Sequence, residues 1–213
     1  EEVAFFRMVG GFIVISIYGK ITMPTMFKIT KKGILYVFAI GIVCQFIFNI
    51  AYMGSISMVG ASMAAVLLYV SPVFVAIFSK IVYKEKINKI KILSLIFCVI
   101  GAFLAVTGGK IEIQGLNIIG ILAGIISAIT YAMLPIFNKK ALEEMDNITM
   151  SAYAFLIAAI IMCFRVNPIH TISKIDNMRV LMYILSIGII PTAMSYIVYS
   201  KGILKGVELS IAG

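Results

Sequence analysis

Seven apolar runs, each nearly free of charge, follow one another along this 213-residue chain at 3–19, 33–53, 61–82, 92–108, 116–137, 148–164 and 181–200, and an eighth begins near Val207. About twenty apolar residues in helical form cross the hydrocarbon of a bilayer. Inside that hydrocarbon the backbone must satisfy its own hydrogen bonds, so runs of this length and continuity predict helices rather than strands. Composition closes the alternative. Of the residues, 62% are hydrophobic and 13% charged, with a mean hydropathy of +1.11, against about half apolar and a quarter charged in a soluble domain. Folded as a water-soluble globule, the chain would expose apolar patches far too large to stay monomeric. Soluble enzymes and soluble binding modules are excluded on this ground. The fold class is all-α: a polytopic membrane helix bundle.

The net charge of +9 is explained by where the cations fall. If the connections between runs are assigned alternately to two sides, one side receives Lys20, Lys28, Lys31, Lys32, the five lysines between 80 and 91, Lys139, Lys140, Lys201 and Lys205. The other receives only Lys110, Arg165, Lys174 and Arg179, and Arg7 lies within the first run. The rich side is predicted to be cytoplasmic. Basic residues divided among short loops predict no nucleic-acid partner; the expected contact is with anionic headgroups of a cell membrane. Cys44, Cys98 and Cys163 are far apart within apolar runs, and His170 is the single histidine. Neither a disulfide framework nor a metal site is indicated, and no cofactor is expected.

Comparing the chain with itself at a shift of 147 residues aligns 34–66 with 181–213 without a gap. Tyr36, Gly41, Tyr52 and Ala65 meet Tyr183, Gly188, Tyr199 and Ala212, with several isoleucine matches between. The same shift relates run 3–19 to the run from Ile148. It leaves run 116–137 without a partner before Glu1, and runs 61–82 and 92–108 without full second copies. The expectation is two five-helix units truncated at both ends: 1–110 lacking its first helix, and 111–213 lacking most of its fourth and all of its fifth. An odd number of spans per unit inverts one copy relative to the other, as in secondary transporters.

The stretch from Asn49 through Gly60, Ala61, Ala64, Ala65 and Pro72 to Glu85, with Gly101 beyond it, resembles the EamA-type transporters of the drug/metabolite transporter superfamily. Its order is the one seen in that family: a short polar turn, a helix of small residues, a proline, a glutamate at the cytoplasmic helix end and a glycine-containing fifth helix. The resemblance implies a ten-helix carrier of small organic solutes in a cell membrane, commonly an exporter.

Polar groups inside hydrocarbon are costly unless paired or wetted, so their positions mark function or packing. Gln45, Asn49 and Tyr52 fall at i, i+4 and i+7, on one face of an α-helix. The repeat shift places Thr192, Tyr196 and Tyr199 in the same register. In an inverted repeat the two stripes face one another across the pseudo-twofold axis, where such carriers bind substrate. The bland alternative is hydrogen bonding between packed helices. Prolines 72, 135 and 191 lie within runs and each frees a carbonyl; Ser71, Tyr131 and Thr192 supply polar groups beside them. These eight residues form the candidate substrate site. Gly120, Gly124 and Ala128 make a small-residue face, as do Gly60 with Ala64 and Ala61 with Ala65. They predict close helix packing within the chain and leave a homo-oligomer seam open.

The functional expectation is therefore alternating-access transport, commonly export, of a small organic metabolite or drug. Neutral hydrogen-bonding groups and aromatic faces suit amino acids, other zwitterions or amphipathic drugs. The sequence carries no HExxH, no GxSxG and no pair of intramembrane aspartates, so no catalytic residue is assigned and an enzyme is not expected. The competing reading is a channel or a structural membrane protein, although neither a filter nor a ring of like charge is present.

Overall fold

A computed structural model describes residues 2–23, 26–107 and 117–166, together with seven isolated positions between 182 and 198. Helices α1 (Glu2–Thr22), α2 (Lys31–Ala39), α3 (Phe48–Leu68), α4 (Ser71–Tyr83), α5 (Lys89–Thr107), α6 (Ile118–Ala141) and α7 (Asn147–Cys163) take up the first six apolar runs, and the seventh lies largely outside the described residues. Between α2 and α3 the backbone stays helical but widens into a π-helix over Ile40–Ile47. These three stretches follow one another without a gap from Lys31 to Leu68, interrupted only by a kink at Gly60. Glu2–Thr22, Lys31–Leu68 and Ile118–Ala141 are each long and apolar enough to cross a membrane. With this helix content the chain is an all-helical membrane bundle, as the hydropathy predicts.

The helix ends carry local signals. The Thr30 hydroxyl caps α2 by accepting from the Gly33 N–H at 3.0 Å. Asp146 caps α7, accepting from the Thr149 N–H at 2.9 Å and from its hydroxyl at 2.8 Å. Such caps satisfy donors that an isolated helix start leaves orphaned. α4 ends with Lys84 in the left-handed region (φ 56°), its N–H bonded to the Ser79 carbonyl. Lys31 and Lys32 open α2, and Lys89 and Lys91 lie in the first turn of α5. The helix dipole disfavours cations there. Glu85 pairs with Lys91 at 3.8 Å.

The chain forms two compact units, Glu1–Phe46 with Phe137–Gly213, and Ile47–Ile136. In the first, α1 and α7 pack along their length around Phe5, Met8, Ile15, Phe155 and Met162. Gly19, near the end of α1, lies against Ile148 at the start of α7, so the two run antiparallel. Gly41 brings the π-helix onto α7: an added Cβ would stand 2.9 Å from Ile157 Cγ2 and 3.1 Å from the Ala154 carbonyl. One end of this unit is laced together by Thr30 Oγ1 donating to Glu144 Oε2 at 2.8 Å and Tyr153 OH donating to the Phe27 carbonyl at 3.1 Å. Lys28, Lys31 and Lys32 stand close to Thr30 in sequence, and Lys139 and Lys140 shortly precede Glu144.

In the second unit, α6 packs on α3 through the glycines of its GxxxG face. A Cβ on Gly120 would meet Met58 Cβ at 2.6 Å, and one on Gly124 would meet Leu67 Cβ at 3.0 Å. α5 also lies on α3, and Tyr83 OH donates to the Ile136 carbonyl at 2.7 Å. The outer surface of α5 is apolar, with Ile92, Leu93, Ile96, Phe97, Ile100 and Leu104 all exposed. A row of this kind is satisfied by lipid tails rather than water.

Two expectations need correction. The run 61–82 is not one straight span with a mid-helix proline. Gly60 breaks the helix backbone (φ 82°, ψ 160°), α3 stops at Leu68, and Tyr69 and Val70 form a turn before α4. Pro72 sits in the first turn of α4, where a missing N–H costs no intrahelical bond and the fixed φ suits the helix start. Its predicted kink is replaced by a helix start. Gly60, for its part, serves the chain by its positive φ rather than by close packing, since an added Cβ would meet nothing within 4 Å.

Candidate functional site

The polar residues predicted on the second run lie on its π-helix and on the first turns of α3. Gln45 is 5% exposed and Asn49 2% exposed, so both amides make their hydrogen bonds inside the protein. The α-helical i, i+4, i+7 argument for a common face meets a different backbone here, because i→i+5 bonding widens the turn. Ile40 with Gly41, Cys44 with Gln45, and Phe48 with Asn49 are buried in pairs at every fourth residue.

Within the second unit, Tyr52 is half-buried and stacks on Phe48, with ring centroids 5.7 Å apart and planes 9° from parallel. Phe48 in turn meets Tyr131 of α6, with centroids at 5.4 Å and planes at 45°. Two predicted site residues, 79 positions apart in the chain, are therefore joined by a phenylalanine that the sequence reading omitted. Phe48 is one of 14 phenylalanines, and nothing in its local sequence separates it from the rest. Ser55, one turn beyond Tyr52, was also omitted. It is fully buried, and its hydroxyl has no hydrogen-bond partner among the described residues. A buried hydroxyl left in this state costs about 1–3 kcal/mol, so it marks a polar position that packing alone does not account for.

Ser71 is buried at the start of α4. Tyr131 is exposed apart from its contact with Phe48. Pro135 lies inside α6, as expected, and has no N–H to offer the Tyr131 carbonyl. Thr192, Tyr196 and Tyr199, with Pro191 and His170, lie outside the described residues. The structure thus joins Tyr52 and Tyr131 through Phe48, with Asn49 buried at the next position of the same helix; Gln45 is buried in the other compact unit. The cluster is neutral: hydroxyls for hydrogen bonding, and ring faces for apolar or cationic groups.

The model of the EamA-like transporter family matches residues 1–107 and 118–212. An uncharacterized transporter of Clostridium kluyveri is 26% identical over 200 residues, which cover 90% of this chain and 63% of that protein. An uncharacterized transporter of Archaeoglobus fulgidus is 27% identical over 149 residues, 70% of this chain and 50% of its own length. The uncharacterized transporter YoaV of Bacillus subtilis is 23% identical over 125 residues, 57% of this chain and 43% of its own. The matched stretches thus span between 43% and 63% of the length of these relatives. Two family matches that together cover nearly all of an all-helical, lipid-compatible bundle place the chain in the EamA-like transporter family.

Proposed function

We propose that the protein carries a small organic solute across a cell membrane by alternating access, in the direction of export, and that the solute is held by hydrogen bonds and aromatic faces without a fixed counter-charge. The observation that carries this reading is the neutral pair of Tyr52 and Tyr131 joined through Phe48, next to the buried Asn49, in a bundle whose exterior is apolar. Neutral polar groups at membrane depth suit a zwitterion or an amphipathic molecule, whereas a phosphate would call for a buried Arg or Lys. The antiparallel packing of α1 on α7, related by the 147-residue shift, supports the reading of two inverted units, with Gln45, Asn49 and Tyr52 answered by Thr192, Tyr196 and Tyr199. The basic helix ends support a cytoplasmic side carrying loops 28–32 and 84–91.

The test is counterflow in proteoliposomes holding the full-length protein. Vesicles are preloaded with unlabelled amino acids, and uptake of the matching radiolabelled amino acid is followed, one amino acid at a time. A carrier accumulates label transiently when loaded with its own substrate, whereas a channel does not. Tyr52→Phe and Tyr196→Phe should each reduce initial counterflow per folded molecule by about tenfold, the loss of one hydrogen bond of ~1.4 kcal/mol. Wild-type rates per folded molecule in both variants would remove these residues from the site.

A further inference from the structure

The two helices that lead from one compact unit to the other are both irregular where they cross. The first crossing falls between Phe46 and Ile47, at the end of the π-helix Ile40–Ile47. The second falls between Ile136 and Phe137, directly after Pro135 within α6. Single-turn π-bulges are the usual form of this geometry, and they concentrate at functional sites; an eight-residue stretch is long for the class. A proline inside a helix removes one backbone bond and crowds the preceding turn, which lowers the cost of bending there.

The flanks of the π-helix are anchored separately. Upstream, Gly41 lies so close to Ile157 and the Ala154 carbonyl of α7 that a methyl group would collide with them. Downstream, α3 is held by α6 at Gly120 and Gly124. Between these anchors the buried pairs recur at every fourth residue. Conversion of the π-helix to the tighter α turn would overwind this stretch, and so would turn Asn49 and Tyr52 about the helix axis. The same conversion would exchange long i→i+5 bonds for i→i+4 bonds at no loss of bond count in the interior of the stretch.

We propose that Ile40–Ile47 is a hinge in which π and α forms of one helix interconvert, with Pro135 as its counterpart on α6, and that this interconversion turns the cluster of Asn49 and Tyr52 during the transport cycle. Its use in transport rests on the function proposed above; the hinge itself does not.

The experiment uses the full-length protein in nanodiscs of phosphatidylethanolamine and phosphatidylglycerol. Spin labels are placed at Leu35→Cys and Ser57→Cys, both exposed, in a background free of other cysteines. The helix between them is about 33 Å long at 1.5 Å per residue, within reach of pulsed dipolar spectroscopy. The hinge gives two distance populations for this pair, and amide exchange over 40–47 at least about tenfold faster than over 50–54. Pro135→Ala, which restores the backbone bond, should shift the balance of the two populations by threefold or more. A single narrow population in the wild type, or exchange over 40–47 equal to that over 50–54, overturns the proposal, and so does an unchanged balance in folded Pro135→Ala. Two populations without counterflow of any amino acid would leave the hinge standing and count against the proposed function alone.

Discussion

The glycine pair Gly124 and Gly54 gives the sharpest test of how α3 and α6 meet. Both lie in helices with ordinary φ, and their surroundings differ. A Cβ on Gly124 would stand 2.4 Å from Leu67 Cδ1, 2.9 Å from Ser55 Oγ and 3.0 Å from Leu67 Cβ. One on Gly54 would meet nothing within 4 Å. Carbon atoms rest at about 3.5–4.0 Å. Leu67 Cδ1 can swing away with its rotamer, but Leu67 Cβ and Ser55 Oγ ride close to the α3 backbone. To accept the methyl, α3 and α6 must part by about half an ångström. Overpacking of this kind costs about 1–3 kcal/mol. Replacing a mid-helix glycine by alanine gains about 0.5–1 kcal/mol at either site, and this gain cancels in the comparison. Gly124→Ala should therefore be about 1–3 kcal/mol less stable than Gly54→Ala, measured by reversible SDS titration in mixed micelles with circular dichroism. Leu67→Ala in the Gly124→Ala background should recover part of the loss, because the two side chains compete for one space. Equal stability of Gly54→Ala and Gly124→Ala, within the ~0.5 kcal/mol expected of independent sites, would refute the α3–α6 contact.

Other consequences follow from the same structure. Asp146→Ala removes the cap that accepts from both the N–H and the hydroxyl of Thr149, and should cost about 0.5–2 kcal/mol in the same titration, with Asp146→Asn recovering most of it. Phe155→Ala empties the centre of the α1–α7 packing, where this ring is 1% exposed, and should cost about 3–5 kcal/mol; a loss below ~1 kcal/mol would mean that α1 and α7 do not share this core. Tyr153→Phe deletes the bond to the Phe27 carbonyl, while the edge-on ring contact with Phe27 at 5.7 Å remains; about 1 kcal/mol is expected. For orientation, Lys86→Cys in a cysteine-free background should resist a membrane-impermeant maleimide in intact cells, and Ser173→Cys should react; the reverse pattern overturns the proposed topology.

Much of this architecture is legible in the residues themselves. Continuous apolar runs determine that the chain is helical and lies in lipid, because only intrahelical bonds satisfy a backbone in hydrocarbon. Lysines mark the ends of those helices, and the small-residue face of Gly120 and Gly124 announces a close helix contact without naming its partner. Gln45, Asn49, Tyr52 and Tyr131 stand out because a polar side chain is expensive at that depth. What the residues leave undetermined is phase. Along 33–53 nearly every position is apolar, so no periodicity separates a 3.6-residue turn from a wider one, and the π-helix around Gln45 is silent in the sequence. The stop at Leu68 is equally hidden: Tyr69 and Val70 are as apolar as their neighbours, and only the folded backbone shows Pro72 opening a helix instead of bending one. Phe48 joins Tyr52 to Tyr131 for the same reason. Lipid and protein interior are both apolar, so hydropathy places a helix in the membrane, but which of its faces meets another helix is decided by tertiary packing.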